Sequence, residues 1–281
     1  MALSISLGWT NRKIMRTIDQ LLDLTGRKAL LTGGAGYIGM AAGEALVELG
    51  AKVSILDINP TACDERVTTL GKIKDNSAIA VPCDLSDEFD TRRAVRETVE
   101  KLGGLDIVVH CAGYVGTTQM PGWAVPFQEQ SVTAWNAAMQ VNLTSAFTMV
   151  QEAQPELTAS GVGSVIFFIS TYGLVGPVPD LYEGTDIVQP AGYAASKGGL
   201  LQFSRYLATT MAPGIRVNTI TPGGVWRDQQ EPFHRRYVAR TPMGRMANEE
   251  DLKGAVAYLS SDLSAYVTGH NLVVDGGWTA W

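Results

Sequence analysis

The chain has 281 residues, 46% hydrophobic and 18% charged, with a formal net charge of −6. These values exclude a disordered chain and any global drive toward nucleic acid or anionic lipid. No apolar run approaches the ~18 residues that span a bilayer, and the opening MALSISLGWTNRK has no apolar segment followed by a small-residue cleavage site, so neither a membrane span nor a signal peptide is expected. Cys63, Cys83 and Cys111 are scattered, odd in number and without metal-ligand spacing. They point to a reduced, cytoplasmic protein with no metal site.

Residues 1–24 stand apart as an N-terminal extension, and residues 25–281 read as one domain. In the extension, Ile14, Ile18, Leu21 and Leu22 recur at helical spacing. This predicts a short amphipathic helix against the body or a sister subunit, with a membrane surface as the lesser alternative. Beyond it, short apolar runs predict strands over 28–32, 52–56, 78–82, 105–110, 164–169, 215–220 and 271–274. Several are apolar throughout, as strands buried on both faces must be. Helical patterns cover 38–49, 86–102, 131–153, 191–211 and 248–260. The alternation predicts an α/β fold, a parallel sheet with helices on both sides.

After the first strand comes TGGAGYIG, Thr32 to Gly39, which opens a helix. A glycine turn in that position brings backbone close to a pyrophosphate, and the helix N-terminus offers it free N–H groups. Asp57 ends the next strand, 21 residues after Gly36. A carboxylate there accepts hydrogen bonds from the adenosine ribose and repels a 2′-phosphate. With no Arg or Lys in 33–39 or 57–62 to compensate, NAD is expected rather than NADP.

Tyr193 and Lys197 are four residues apart on a predicted helix and share a face. A phenol titrates near ~10 and needs a neighbouring ammonium to act as a base at neutral pH. The pair follows a strand whose end carries Ser170, and in an open parallel sheet ligands bind at the carboxyl ends of strands.

On these residues the chain resembles the short-chain dehydrogenase/reductase family, in its compact single-domain branch, from about Leu24 to the C-terminus. The resemblance rests on TGGAGYIG, Asp57, Asp84 in CDLSD, CAG at 111–113, Asn142 in VN, Ser170, YAASK at 193–197, TPGG at 221–224 and VTGHNLVVDGG at 267–277. It implies a doubly wound Rossmann-type sheet in the order 3-2-1-4-5-6-7. Tyr193 becomes the catalytic acid/base, Lys197 lowers its pKa and holds the nicotinamide ribose, Ser170 orients the substrate oxygen, and Asn142 supports a proton relay or is merely structural. Cofactor contacts are implied for Gly33, Gly36, Tyr37, Ile38, Gly39, Asp57, Asp84, Leu85, Ala112, Gly113, Tyr193, Lys197, Pro222, Gly223 and Val225. Asp84 contacts adenine or caps helix 86–102, a task for which Ser86 competes. A homotetramer or homodimer is implied, with helices 131–153 and 191–211 and the C-terminus as interfaces.

Several residues depart from the family's pattern. Tyr37 stands where compact members carry glycine, and the glycine spacing is that of the larger epimerase-like branch. His110 and Cys111 replace two asparagines, one of which tethers neighbouring strands, so imidazole is expected to take over the tether or leave it absent. Trp226 and Arg227 occupy a region where many members use a threonine to bind the nicotinamide carboxamide.

Two stretches border the expected pocket. The insertion 173–192 carries Asp180, Tyr182, Glu183, Thr185, Asp186 and Gln189, suited to hydroxyl recognition or to a solvated loop. Segment 226–245 holds Arg227, Arg235, Arg236, Arg240, Arg245 and His234, which suit either an anionic substrate or acids on a neighbouring subunit. The reading is an NAD-dependent oxidoreductase acting on a secondary alcohol or ketone of a sugar, sugar phosphate or sugar acid. The alternatives are a β-ketoacyl reductase, an NAD-retaining sugar epimerase or dehydratase, and a non-catalytic NAD sensor.

Overall fold

Strands that are apolar on both faces leave the chain one way to dry them, a sheet with helices on each side. The computed structural model describes residues 15–115 and 118–281. Its strands are β1 (Lys28–Thr32), β2 (Lys52–Leu56), β3 (Ala78–Ala80), β4 (Ile107–His110), β5 (Gly163–Phe168), β6 (Ile215–Pro222) and β7 (Asn271–Val274). They lie in the expected order β3-β2-β1-β4-β5-β6-β7, and every pairing is parallel. Side chains alternate between two cores. Leu30, Val108, Val165 and Phe167 point to one face, and Leu31, Ile55, Val109 and Ile166 to the other.

The helices are α1 (Ile18–Leu22), α2 (Tyr37–Glu48), α3 (Pro60–Gly71), α4 (Glu88–Leu102), α5 (Val132–Met139), α6 (Ser145–Ala159), α7 (Ala191–Thr210), α8 (Glu231–Arg240) and α9 (Glu250–Ser260). α4, α6 and α7 cover the first face, with Ala94, Met149 and Leu200 buried there. α2, α3 and α9 cover the second through Leu46, Leu70 and Val256.

The structure departs from expectation in four places. The helix expected over 131–153 is two helices, α5 and α6, joined by a π-helical turn from Gln140 to Thr144. α3 escaped the periodicity reading because only Cys63 and Leu70 are buried along it; the signal that marks it is Asn59 as N-cap followed by Pro60. α8 lay hidden inside the basic segment. The cap of α4 is Asp87, whose side chain accepts from the Asp90 N–H, so neither Asp84 nor Ser86 does that work.

In the extension, Ile14 and the residues before it lie outside the described residues. α1 is held to the body: its Thr17–Gln20 capping box is complete, and both Arg16 (2.5 Å) and Arg27 (3.1 Å) pair with Asp262.

A third, smaller core stands beyond the sheet. Leu181 from the insertion, Phe233 and Tyr237 from α8, Met246, and Trp278 near the C-terminus are buried together. The insertion and the basic segment therefore form one packed wall.

Between β1 and β4, Thr32 faces His110 in register, and Thr32 Oγ1 lies 2.8 Å from His110 Nδ1. Imidazole thus supplies the interstrand tether. The ring is fully buried, edge-on to Phe167 at 6.2 Å, and burial lowers its pKa from 6.5 to about 3. The unfolded chain takes up this proton first. The stabilising effect of a neutral ring is complete above 6.5 and is lost as pH falls from there toward 3. His110→Asn should therefore flatten the acid limb of stability between about pH 6 and about pH 4. Urea unfolding of both proteins across that range checks it, and equal slopes would assign the acid sensitivity elsewhere.

Candidate active site

The strand order reverses between β1 and β4, and this is where an open parallel sheet forms a crevice. Gly33, immediately after β1, adopts φ +62°, and a Cβ there would stand 2.8 Å from the Ala112 backbone that follows β4. Gly39, in the first turn of α2, sits so close to the Gly33 carbonyl that a Cβ would lie 2.1 Å from it. These contacts seat the α2 N-terminus on the glycine turn. Its N-cap, Gly36, offers no side-chain hydrogen bond, so N–H groups of the first turn stay free for an anion. Ile38 packs inward against the core while Tyr37 is 64% exposed.

Asp57 ends β2, and its Oδ2 accepts from the Ala35 N–H in the glycine turn at 3.3 Å. Asp84 lies beyond β3; its Oδ1 accepts from the Ser86 N–H at 2.8 Å, and Leu85 beside it is buried. Ala112 and Gly113 follow β4, with the Ala112 N–H 3.3 Å from Thr32 Oγ1. Pro222 ends β6. Gly223 donates to the Val274 carbonyl, and Val225 bridges to Ala247. Every residue expected to touch the cofactor lies on or just beyond the carboxyl end of a strand, in the first turn of α2, or in the first two turns of α7.

Ser170, at the end of β5, accepts from the Tyr172 N–H at 3.2 Å and hydrogen-bonds the Tyr193 phenol. Lys197 is 4% exposed; its Nζ donates to the Phe168 carbonyl at 2.8 Å and lies 5.9 Å from the Tyr193 ring centroid. Burial lowers the Lys197 pKa to about 8. Burial also raises that of Tyr193, partly opposed by the Ser170 hydrogen bond. Desolvation is thus the largest influence on each group, and it favours the neutral form of both.

The π-helical turn explains Asn142. It aims a fully buried amide at the gap between α7 and the segment after β4: Oδ1 accepts from the Tyr114 N–H at 2.6 Å, and Nδ2 donates to Ser196 Oγ at 3.0 Å and to the Tyr114 carbonyl at 3.3 Å. A π-turn at such a position is a common device of functional sites.

The residues fit a nicotinamide dinucleotide. A free helix N-terminus stands over the glycine turn, a carboxylate marks the ribose position, and the buried Lys197 ammonium has one carbonyl for its three N–H bonds. Among the described residues no cluster of His, Cys, Asp or Glu could hold a metal ion, and no helix is long and apolar enough to cross a membrane.

Sequence reasoning missed the aromatic surroundings of Tyr193. Trp123 is buried beside Tyr114, Met120 and Tyr193, with its indole N–H on the Val115 carbonyl at 2.8 Å. Tyr172 bonds Tyr182 through their hydroxyls. Neither group follows a periodic pattern, so no sequence signal marks them. The basic segment, in turn, is largely paired within the chain: Arg227 with Glu249, Arg235 with Glu231, Arg245 with Asp251, Arg236 on the Glu183 carbonyl and Arg240 over Trp278.

Residues 34–279 match the family model described as enoyl-(acyl carrier protein) reductase. The chain is 32% identical over 261 residues to 2,5-dichloro-2,5-cyclohexadiene-1,4-diol dehydrogenase of Sphingobium indicum, covering 91% of this chain and 97% of that one. It is 31% identical over 263 residues to cis-4-hydroxycyclohexanecarboxylate dehydrogenase of Sinomonas cyclohexanicum, at 90% and 97% coverage. Among solved structures, a short-chain type dehydrogenase/reductase from Mycobacterium marinum superposes with TM-score 0.82 at 28% identity, over 95% of this chain and 100% of that one. The NADPH-dependent 3-quinuclidinone reductase of Rhodotorula rubra gives 0.83 at 26%, over 98% and 99%.

Asn142→Ala strands the Tyr114 N–H in a dry site, which should cost about 1–3 kcal/mol. Denaturant unfolding checks it; a loss within error of zero would mean that water replaces the amide.

Proposed function

The chain belongs to the short-chain dehydrogenase/reductase family, an oxidoreductase family acting on CH–OH groups with nicotinamide cofactors, and from that premise we propose that it oxidises a ring-borne secondary alcohol with NAD, or reduces the matching ketone. The observation that carries this reading is the Ser170–Tyr193–Lys197 cluster set beside the glycine turn. When bound, the nicotinamide supplies the acceptor or donor for hydride.

The protein's part is to bind the oxygen and move its proton. In this reading Ser170 Oγ and Tyr193 Oη, which lie close enough to influence each other, together hold the substrate oxygen. In oxidation the hydroxyl proton passes to Tyr193 Oη as the carbonyl forms; in reduction Tyr193 returns it. Lys197 is fixed by Phe168 and places its ammonium below the phenol, where positive charge opposes the cost of a buried phenolate. Asn142 keeps the Tyr114 segment and α7 in register.

Asp57 supports NAD over NADP, because its carboxylate beside the turn repels a 2′-phosphate. A ring-shaped substrate is supported by the aromatic rings of Tyr114 and Tyr172 near Tyr193, and by the relatives' names, two of which specify cyclohexane-type alcohols. Sugars and carbocyclic diols both present such a face. The internal pairing of the arginines weakens the case for a phosphorylated or otherwise anionic sugar.

We also read the protein as a cytoplasmic homodimer or homotetramer. Its three cysteines are free, and α6 and α7 expose Phe147 and Tyr206 at 49% and 61%. Light scattering that returned only the 30.1 kDa monomer would remove the oligomer.

Three further outcomes are expected. Tyr193→Phe should lower NAD reduction with cyclic secondary alcohols by about 100-fold or more while NADH still binds. Oxidation by the wild type should accelerate as pH rises above neutrality, since burial raises the phenol's pKa and the base form is scarce below it. Absorbance at 340 nm measures both, and a fully active phenylalanine variant would take Tyr193 out of the reaction. Asp57→Ser should narrow the gap between NAD and NADP, measured as the ratio of their kcat/KM values. An unchanged ratio would move the discrimination to another residue.

A further inference from the structure

Two residues that depart from the family's pattern, in segments 190 positions apart in a chain numbered 37 and 227, meet in the fold. The Arg227 guanidinium carbon stands 4.3 Å from the Tyr37 ring centroid. Tyr37 is the first residue of α2, whose opening turn has no side-chain cap. Arg227 comes from the loop after β6, so the pair joins that loop to the first residue of the helix that follows the glycine turn.

We propose that Arg227 is a ligand for the diphosphate of the dinucleotide, held over the α2 N-terminus by the face of Tyr37 and resting on Glu249 in this structure. The assignment rests on the dinucleotide reading of the crevice and adds to it a residue and a charge. A diphosphate at the helix N-terminus would lie under a guanidinium, whose fork suits two phosphate oxygens at once.

Three observations support it. The Arg227–Glu249 pair, at 2.8 Å, has both side chains 27% exposed, so solvent weakens it and an incoming anion can compete. The loop is built to hold its shape: the Arg227 N–H donates to Gln229 Oε1, Gln229 Nε2 donates to the Val225 carbonyl, both at 2.8 Å, and Asp228 is kept at φ +54°, unfavourable for a residue other than glycine. The segment's other arginines lie on different partners, which leaves Arg227 as the one stacked on the glycine turn's helix.

The test measures binding without turnover. NADH fluorescence gives the NADH affinity of wild type, Arg227→Ala and Glu249→Gln, and displacement of NADH gives those of ADP and adenosine. Wild type that bound no NADH would overturn the dinucleotide reading itself. Given that it binds, Arg227→Ala should lose about 10-fold or more in affinity for NADH and ADP and keep its affinity for adenosine. Glu249→Gln, which frees the guanidinium, should bind ADP at least as tightly as wild type. An unchanged ADP affinity in Arg227→Ala, an equal loss for ADP and adenosine, or weaker ADP binding in Glu249→Gln would each overturn the assignment. So would a loss confined to NADPH, since that places Arg227 at a 2′-phosphate.

Discussion

The close approach of the turns that leave β1 and β4 is the constraint on which the rest of this molecule depends. Gly33 stands against the backbone of Ala112 with no room for a Cβ, while one residue earlier Thr32 and His110 join the same two strands. Because the chain leaves these neighbouring strands toward opposite faces of the sheet, the gap between their ends becomes a trough. The first turn of α2, the carboxylate of Asp57 and the buried ammonium of Lys197 all take their positions from it. The interior there is dry, and its electrostatics follow: imidazole stays neutral, the ammonium is weakened and the phenol is strengthened against ionisation.

That electrostatic balance separates what the sequence could express from what only packing decides. The Tyr193–Lys197 spacing reports correctly that the two side chains share a face of α7, but not how deeply each is buried, and burial raises the phenol's pKa. The doubly covered sheet was legible because runs such as KALLT and SVIFFI admit nothing else, whereas its strand order and the roles of Ser170, Tyr193 and Lys197 came from the family resemblance of short motifs. The π-turn at Asn142 was invisible, since adding one residue to a helical repeat leaves the apolar pattern nearly intact. Arg227 was legible only as one of five positive charges; its placement on Tyr37 depends on the path of a loop.

The same limit applies to the walls around the substrate oxygen. Read separately, the insertion 173–192 looked polar and segment 226–245 looked basic. Folded together, they bury Leu181, Phe233, Tyr237 and Trp278 in one cluster, while Arg227, Arg235 and Arg245 pair with Glu249, Glu231 and Asp251. Mixed polar sequences of this kind conceal a small core because no face of either segment repeats for long enough to register as amphipathic.

That third core has a consequence for how this protein can change. It shares no buried residue with the two cores that flank the sheet. The insertion and the basic segment, which build it together with Met246 and Trp278, lie after β5 and β6 without taking part in either strand. A lineage could therefore rewrite the pair together, ring for ring and loop for loop, and inherit the hydride machinery unaltered. Exchange of one segment alone would strand the hydrophobic half of the other, so the unit of inheritance for a new substrate here is the pair.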